Sequence, residues 1–263
     1  MTDHPSPRTL SMDIGGSFLK VALLNSQGKM IGSSEKIHTP YPCTPSILIQ
    51  TLEPLIHAFP KFDRVSIGFP GVVRENKIIT APHFDYKSWK NYDLGIVLTQ
   101  KWKHPVRILN DAEVQGLAAI RKNKLELVVT LGTGVGTALF YNGILMPHLE
   151  LAHHPIAANK TYNEYLGDQV LKKIGKHPWN QRIKKMIITL QTLLNFDFLF
   201  LGGGNARHIR IPLPSNALCI SNELGLLGGF FLWTNFQSFD STSFKSLNAY
   251  SIASKKDARG IHY

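Results

Sequence analysis

The stretch from residue 106 to 137 constrains the fold more than any other part of this 263-residue chain. An apolar run at 106–109 predicts a buried strand, and Asp111 follows it at the start of a predicted helix. A second apolar run at 125–131 then breaks into a glycine turn at 132–134. A carboxylate that can accept a proton and a backbone turn suited to phosphate therefore lie two short elements apart. This arrangement predicts the catalytic hinge of a phosphotransferase.

Asp111 has two interpretations when it is considered by itself. At the start of a predicted helix it is well placed as an N-cap, because its side-chain oxygen can accept a hydrogen bond from a free backbone N–H. It can also act as a general base if a hydroxyl group of a substrate lies within hydrogen-bond reach. Capping is the commoner role for an isolated aspartate of this kind, so the surrounding residues have to decide.

The opening of the chain repeats the arrangement of strand, glycine turn and strand. Apolar runs at 9–14 and 18–24 flank a turn at 15–17, and the Walker pattern with its following helix is absent. Glycine in such a turn lets backbone N–H groups approach phosphate oxygens closely. Asp13, at the end of the first run, could hold Mg²⁺, which prefers carboxylate and water ligands. An ordinary hairpin turn with a capping aspartate has the same pattern.

Two such units, at 9–28 and 125–143, predict a duplicated half-domain with a cleft between the halves. Two glycine turns that face one cleft can grip a phosphorylated donor from both sides. A third glycine turn at 202–204 leaves further backbone donors for a ligand. The segments predicted as helices begin at Thr44, span 93–102, 161–175 and 178–195, and run from 222 to about 236.

The charge is the unusual feature of the composition. The chain carries 29 Lys and Arg against 18 Asp and Glu, which gives a net charge of +11. An excess of this size favours a polyanionic partner such as nucleic acid, a phosphate polymer or a membrane surface. Neither an aromatic-interleaved basic motif nor an apolar run of about 18 residues occurs, so we expect no nucleic acid and no membrane partner. A secretory signal is also absent, which predicts a cytoplasmic location.

Six short motifs occur in a fixed order along the chain. They are D-I-G-G-S at 13–17, G-F-P-G at 68–71, N-D-A-E at 110–113, L-G-T-G-V-G-T at 131–137, E-L-A-H at 150–153 and L-G-G-G at 201–204. As a collinear set, over roughly residues 9–232, they make the chain resemble the ROK sugar kinases of the actin, hsp70 and hexokinase superfamily. Within that group the resemblance is greatest to the polyphosphate glucokinase branch.

The resemblance implies an α/β fold with two ribonuclease-H-like (actin-like ATPase) domains around a central cleft. The first predicted domain, 8–112, holds the first phosphate turn and the sugar loop. The second, 113–237, holds the second phosphate turn and the donor site, and residues 238–263 form a predicted polar tail. The resemblance also implies a homodimer.

Residues that match the motifs of the family receive roles from the resemblance. Asp111 would be the general base on the 6-hydroxyl of the sugar. The predicted sugar-binding residues are Asn110, Glu150, His153, Glu164, Gly71 and His83. The predicted phosphate-binding residues are Asp13, Gly15, Gly16, Ser17, Lys20, Gly132, Thr133, Gly134, Gly202, Gly203 and Gly204. Asp13 is in addition the predicted Mg²⁺ ligand.

The predicted reaction is the transfer of a phosphoryl group from polyphosphate or ATP, with Mg²⁺, to glucose or a related hexose. We expect no zinc, because the cysteine-rich zinc motif of most ROK proteins is absent. His83 and Ala152 replace an Asn and a Gly of the family. Two alternatives therefore remain. One is a ROK kinase for another hexose, such as mannose or an N-acetyl amino sugar, and the other is a catalytically silent sugar-sensing protein of the same fold.

Overall fold

The computed structural model describes residues 7–234, so the predicted polar tail at 238–263 lies outside the described residues. The strands are β1 (Thr9–Ile14), β2 (Phe18–Leu24), β3 (Met30–His38), β4 (Arg64–Phe69), β5 (Val73–Arg74), β6 (Lys77–Ile78), β7 (Val106–Asn110), β8 (Leu125–Leu131), β9 (Val135–Tyr141), β10 (Ile144–Leu145), β11 (Pro155–Ala157), β12 (Lys160–Thr161), β13 (Phe198–Gly202) and β14 (Ala217–Cys219). The helices are α1 (Pro45–Ala58), α2 (Tyr86–Trp89), α3 (Leu94–Trp102), α4 (Asp111–Ala119), α5 (Tyr162–Leu166), α6 (Asp168–Ile174), α7 (Lys176–Leu194) and α8 (Leu224–Phe231). Two 3-10 helices span Leu151–His153 and Ala206–His208.

Two five-stranded sheets share one pattern of strand pairing. The first sheet has the order β3-β2-β1-β4-β7 and the second has the order β10-β9-β8-β13-β14. In the first, β1 is antiparallel to β2 and parallel to β4, and in the second, β8 is antiparallel to β9 and parallel to β13. The predicted duplication is therefore present in the topology. In each sheet a glycine turn joins the antiparallel pair, which places both turns at equivalent sheet ends.

Helices α4 and α8 lie between the two sheets. α8 packs on the first sheet, where the hydroxyl of Ser11 donates to the carbonyl of Leu226 at 2.6 Å. α4 packs on the second sheet, and an added Cβ at Gly116 would lie 2.5 Å from the ring of Phe140. α8 follows the second sheet in the chain but contacts the first sheet, so the contacts of this helix do not define a domain boundary. The boundary at 112/113 therefore stays a prediction.

Apolar side chains form one cluster on each sheet and a third cluster around the two central helices. Trp89 is fully buried in the first cluster and Trp179 in the second. The third contains Val114 from α4, Phe140 from β9 and Leu232 after α8. This third cluster holds the first turn of α4 against both sheets. No helix in the described part of the chain is long and apolar enough to cross a membrane.

The helix predicted at 161–175 is in fact two helices, α5 and α6, which meet at Gly167. A Cβ at Gly167 would lie 2.7 Å from the carbonyl oxygen of Thr133, so the chain passes directly against the second glycine turn. The backbone N–H of Asp168 donates to the carbonyl of Gly132 at 3.0 Å. The helical pattern breaks because this contact supports the turn, and a continuous helix would carry the chain away from it.

Gly228 on α8 makes the closest approach between the two central helices. A Cβ built on Gly228 would lie 1.8 Å from the carbonyl oxygen of Val114 on α4. The substitution Gly228→Ala should therefore lower the free energy of unfolding by about 1–3 kcal/mol, because overpacking forces the backbones apart. Urea unfolding measures this loss. Gly204→Ala, whose Cβ would meet nothing within 4 Å, is the control, and equal stability of the two variants would contradict the account.

Candidate active site

A cleft of about 500 Å³ opens where the two glycine turns and the start of α4 come together. Residues from both sheets line it. Most of the predicted site residues are among them. These are Asp13, Gly15, Gly16, Ser17, Lys20, Gly71, His83, Asn110, Asp111, Gly132, Thr133, Gly134, Glu150, His153, Gly203 and Gly204.

Glu164 and Gly202 do not line the cleft, so a ligand contact of either residue stays a prediction. The carboxylate of Glu164 is exposed and accepts hydrogen bonds from the backbone N–H and hydroxyl of Thr161, at 2.9 and 3.0 Å, in a capping box that starts α5. Its neighbour Asn163 reaches the cleft instead. Gly202 is buried, and an added Cβ would lie 2.6 Å from the side-chain amide oxygen of Gln115, so this glycine serves close packing on α4.

Asn110, and not Asp111, is the N-cap of α4. The side-chain oxygen of Asn110 accepts a hydrogen bond from the N–H of Ala112 at 2.9 Å, and the carboxylate of Glu113 accepts one from the N–H of Asn110 at 3.1 Å. The capping role considered for Asp111 is therefore filled by its neighbour. The Asp111 carboxylate is left to line the cleft.

Both the oxygen and the NH₂ group of the Asn110 side chain form hydrogen bonds within the protein. Besides the cap, its NH₂ donates to the carbonyl of Gly71 at 3.1 Å. Gly71 itself admits no side chain, because a Cβ would lie 2.0 Å from the carbonyl oxygen of Thr80. Asn110 thus fixes the loop after β4 to the start of α4, and a contact of either residue with a sugar stays a prediction.

Burial raises the pKa of Asp111 to about 7, and the nearby negative charge of Asp13 adds to this effect. The hydrogen bond from the N–H of Ala112, at 2.9 Å, and the positive charge of His148 act in the opposite direction. The carboxylate is therefore partly ionised near neutral pH. A group of this pKa is well matched to accept a proton from a hydroxyl at that pH.

Two acidic and two imidazole side chains form a chain of contacts beside Asp111. Nδ1 of His148 lies 2.8 Å from Oε1 of Glu113, and its Nε2 lies 3.5 Å from Oε1 of Glu150. The other oxygen of Glu150 lies 3.6 Å from Nε2 of His153. Sequence reasoning selected Glu150 and His153 but missed His148, although it stands two residues before Glu150 in the same segment.

The contacts of this chain shift the pKa values of its members. Burial by itself would lower the pKa of His148, but the hydrogen bond to Glu113 and the close contact with Glu150 outweigh burial and raise it to about 9. Burial would raise the pKa of Glu150, yet its contact with the positively charged His148 leaves it below the usual range. At neutral pH this part of the cleft therefore contains an imidazolium between two carboxylates.

His83 lies between the two glycine turns. A Cβ at Gly16 would be 3.5 Å from the Cβ of His83, and a Cβ at Gly134 would be 2.9 Å from its Nε2. Burial lowers the pKa of His83, and the nearby His153 lowers it further, while Glu150 opposes them. His83 is therefore neutral at physiological pH and offers one N–H donor and one acceptor to the cleft.

The two glycine turns present backbone donors across the cleft. Within residues 7–234, the N–H groups of Gly16, Ser17, Thr133 and Gly134 donate to no protein acceptor. The hydroxyls of Ser17 and Thr133 lie 3.1 Å apart, so the turns meet closely. Free N–H groups in glycine turns can bind phosphate oxygens.

Basic side chains surround these turns. Lys20 pairs with Asp13 at 2.5 Å, and Lys172 pairs with Asp168 at 2.6 Å. Lys36 and Arg207 also line the cleft, and neither makes a salt bridge to an acidic side chain within the described residues. No group of three or more His, Cys, Asp or Glu side chains in residues 7–234 has an arrangement that could hold a metal ion by itself.

The chain is similar in sequence to known sugar kinases. The family model described as the ROK family matches residues 9–156. A polyphosphate glucokinase of Mycobacterium leprae (strain TN) is 30% identical over 244 residues, which cover 84% of this chain and 73% of that protein.

The fold is similar to that of two solved structures. One is an inorganic polyphosphate/ATP-glucomannokinase from Arthrobacter sp. strain KM, with a TM-score of 0.78, 24% identity and coverage of 86% of this chain and 98% of that chain. The other is a ROK family glucokinase from Streptomyces griseus in complex with glucose and AMPPNP, with a TM-score of 0.70, 17% identity and coverage of 86% and 98%. These likenesses confirm the predicted fold class.

Because the pKa of Asp111 is raised in the folded state, ionisation of this side chain lowers the free energy of unfolding. An unfolded aspartate titrates near pH 3.9, whereas the pKa of folded Asp111 is about 7. Between these values the folded state retains a proton that the unfolded state has lost. The free energy of unfolding therefore falls as the pH rises from about 4 to about 7.

The substitution Asp111→Asn removes this charge and retains an oxygen for the N–H of Ala112. It should raise the free energy of unfolding at pH 8 by up to about 4 kcal/mol and leave it nearly unchanged at pH 4. Urea unfolding at both pH values measures the difference. Glu35→Gln, at an exposed position on β3, is the matched control. A loss of stability at pH 8, or a change of equal size at both pH values, would contradict the assigned pKa.

Proposed function

The chain belongs to the ROK family, and we propose that it is a kinase that transfers a phosphoryl group from polyphosphate or ATP to the 6-hydroxyl of glucose. One observation carries the proposal. Asp111, with a pKa of about 7, lies in the same cleft as two glycine turns that each leave two N–H groups without a protein acceptor among the described residues. A base and a phosphate cradle that share one cleft are the two parts that phosphoryl transfer to an alcohol requires.

Asp111 is the proposed general base. It accepts the proton of the sugar hydroxyl as that oxygen attacks the transferred phosphorus, and its ionised form predominates above about pH 7. General-base assistance is typically worth about 10²- to 10⁴-fold in rate. The rest of the acceleration comes from holding the hydroxyl and the phosphate in line within the cleft.

Glu150 and His153 are the proposed contacts to the other sugar hydroxyls. Their side chains are 33% and 51% exposed, and both border the cleft, so they remain accessible to a ligand. A carboxylate accepts hydrogen bonds from hydroxyl groups, and an imidazole can donate or accept one. His83, neutral and between the glycine turns, is placed to contact either the sugar or the donor phosphate.

The glycine turns are the proposed phosphate cradle. Their free N–H groups would bind the donor oxygens, and Lys20 would add a positive charge beside them. Mg²⁺ is usually held by one or two carboxylates together with substrate phosphates and water. Asp13 fits this chemistry as the carboxylate at the cradle, and the ion would neutralise charge on the donor.

Polyphosphate is the proposed donor because positive charge lies on both sides of the cleft. Lys36 comes from the first sheet and Arg207 from the 3-10 helix after β13, and neither is neutralised by an acidic partner among the described residues. The net charge of +11 acts in the same direction, since a basic cleft attracts a polyanionic chain. A homodimer and a cytoplasmic location stay predictions.

A coupled assay for sugar phosphate tests the proposal. Glucose, mannose and N-acetylmannosamine are each supplied with polyphosphate or ATP in the presence of Mg²⁺. The proposal predicts the highest kcat/KM for glucose with polyphosphate. A preference for another sugar would favour the alternative of a different ROK hexose kinase. Background rates with every pair, together with a rise in Tm on adding sugar, would show a silent sugar-binding protein and refute the kinase.

Arg207 and Lys36 should affect polyphosphate more than ATP. We expect Arg207→Gln and Lys36→Gln each to raise the KM for polyphosphate by about threefold to tenfold, because each removes a positive charge that has no acidic partner among the described residues. The KM for ATP, which carries fewer charges, should change less. Lys184→Gln, at an exposed position on α7 outside the cleft, is the control. An unchanged KM for polyphosphate in both variants would contradict this account of donor binding.

A further inference from the structure

His148 is held between two carboxylates that belong to different parts of the fold. Its Nδ1 lies 2.8 Å from Oε1 of Glu113 on α4, and its Nε2 lies 3.5 Å from Oε1 of Glu150, which precedes the 3-10 helix. The side chains of His148 and Glu113 are only 9% and 4% exposed, whereas that of Glu150 is 33% exposed. The contacts therefore run from a buried anchor to a side chain at the surface of the cleft.

Glu113 connects this contact to the proposed base. Its other oxygen accepts the backbone N–H of Asn110 at 3.1 Å, which completes the capping box at the start of α4. Asp111 directly follows Asn110 in the chain. His148 is thus joined through one carboxylate to the element that carries the base, and through the other to a side chain proposed to bind the sugar.

We propose that His148 is a positioning residue for the sugar site, whose imidazolium holds Glu150 ionised and at a fixed distance from Asp111. The inference rests on the proposed function, because Glu150 matters here as a ligand of sugar hydroxyls. A carboxylate at the mouth of a cleft has several rotamers, and the contact with a buried imidazolium restricts them. The sugar then meets an acceptor that is already oriented, which lowers the entropy lost on binding.

The charges around His148 support the cationic form. Glu113 and the more distant Asp111 face it from α4, and Glu150 faces it from its own segment. His83 and His153 contribute positive charge near Glu150 when they are protonated. With two carboxylates in contact, the pKa of His148 rises to about 9, so the imidazolium persists through neutral pH and is lost as the pH rises through that value.

A purely structural role is the alternative, in which His148 only neutralises the buried charge of Glu113. Two variants distinguish the roles. His148→Gln removes the positive charge and leaves the Glu113 carboxylate buried without it, so this variant can lose stability. The double variant Glu113→Gln/His148→Gln removes both charges and should recover stability, because a neutral amide pair replaces the ion pair. Only the positioning role predicts that sugar binding stays weak in the double variant.

Sugar binding is measured by calorimetry on the full chain without donor, with glucose, mannose and N-acetylmannosamine as probes. For the sugar that binds best, both variants should raise the Kd by about 10- to 100-fold at pH 7, since a charge-assisted contact to Glu150 is lost. The kcat at saturating sugar should fall by less than the Kd rises, because the Asp111 carboxylate itself is intact. His57→Gln, at an exposed position on α1, is the matched histidine control and should bind sugar like the wild type.

The pH dependence gives a second readout that a structural role would not move. The Kd of the wild type should be constant from about pH 7 to 8 and should increase above about pH 9, whereas the Kd of the variants should show no such increase. A double variant with wild-type Kd, or a variant with the wild-type pH profile, would overturn the positioning role and leave the proposed kinase intact. Failure of the wild type to bind any of the three sugars would refute both.

Discussion

The N-terminus of α4 is the point on which the site depends. The side chain of Asn110 caps the helix and the carboxylate of Glu113 closes the capping box, while the carboxylate of Asp111 shares the N–H of Ala112 with that cap and lines the cleft. The same two residues reach outward, Asn110 to the carbonyl of Gly71 and Glu113 to His148. One helix start therefore fixes the loop after β4, the segment with the proposed sugar ligands, and the direction of the proposed base.

The environment of Asp111 favours its proposed role as a base but lowers the stability of the folded chain. Burial disfavours the ionised form of Asp111, and the nearby negative charge of Asp13 disfavours it further. A carboxylate in this position destabilises the folded chain above neutral pH but becomes a stronger base than an exposed aspartate. Lys20 forms a salt bridge with Asp13, and the positive charge of His148 lowers the pKa of Asp111. Each carboxylate therefore has a positive charge near it. A bound cation or a proton transfer would relieve the remaining repulsion.

Local patterns in the sequence were sufficient for the repeat and for many of the residues that line the cleft. Strand, glycine turn and strand can be recognised from apolar runs and glycines, and both glycine turns line the cleft as predicted. The polar edge strand β3 was missed, because most of its side chains are exposed and it lacks an apolar pattern. The break at Gly167 was missed because its cause, a contact with Thr133, joins residues far apart in the sequence.

Contacts of their own also account for the two predicted residues that lie outside the cleft and for the residue that was missed. Glutamate is a common sugar ligand, but the carboxylate of Glu164 accepts hydrogen bonds from Thr161 in a local capping box. Gly202 belongs to a glycine triple, yet only Gly203 and Gly204 reach the cleft, because Gly202 is packed against Gln115. His148 escaped notice because its partner Glu113 lies 35 residues earlier in the chain. Which of several polar side chains faces a site depends on such tertiary contacts.

The pH dependence of kcat/KM for the sugar tests the central claim most directly, because it reports the ionisation of the proposed base in the free enzyme. If Asp111 is that base, kcat/KM for the wild type should rise about tenfold per pH unit up to about pH 7 and then level off. Asp111→Asn should lower kcat by about 10²- to 10⁴-fold while the sugar Kd changes little. A profile that is flat through pH 7, or an Asp111→Asn variant with wild-type turnover, would contradict the account.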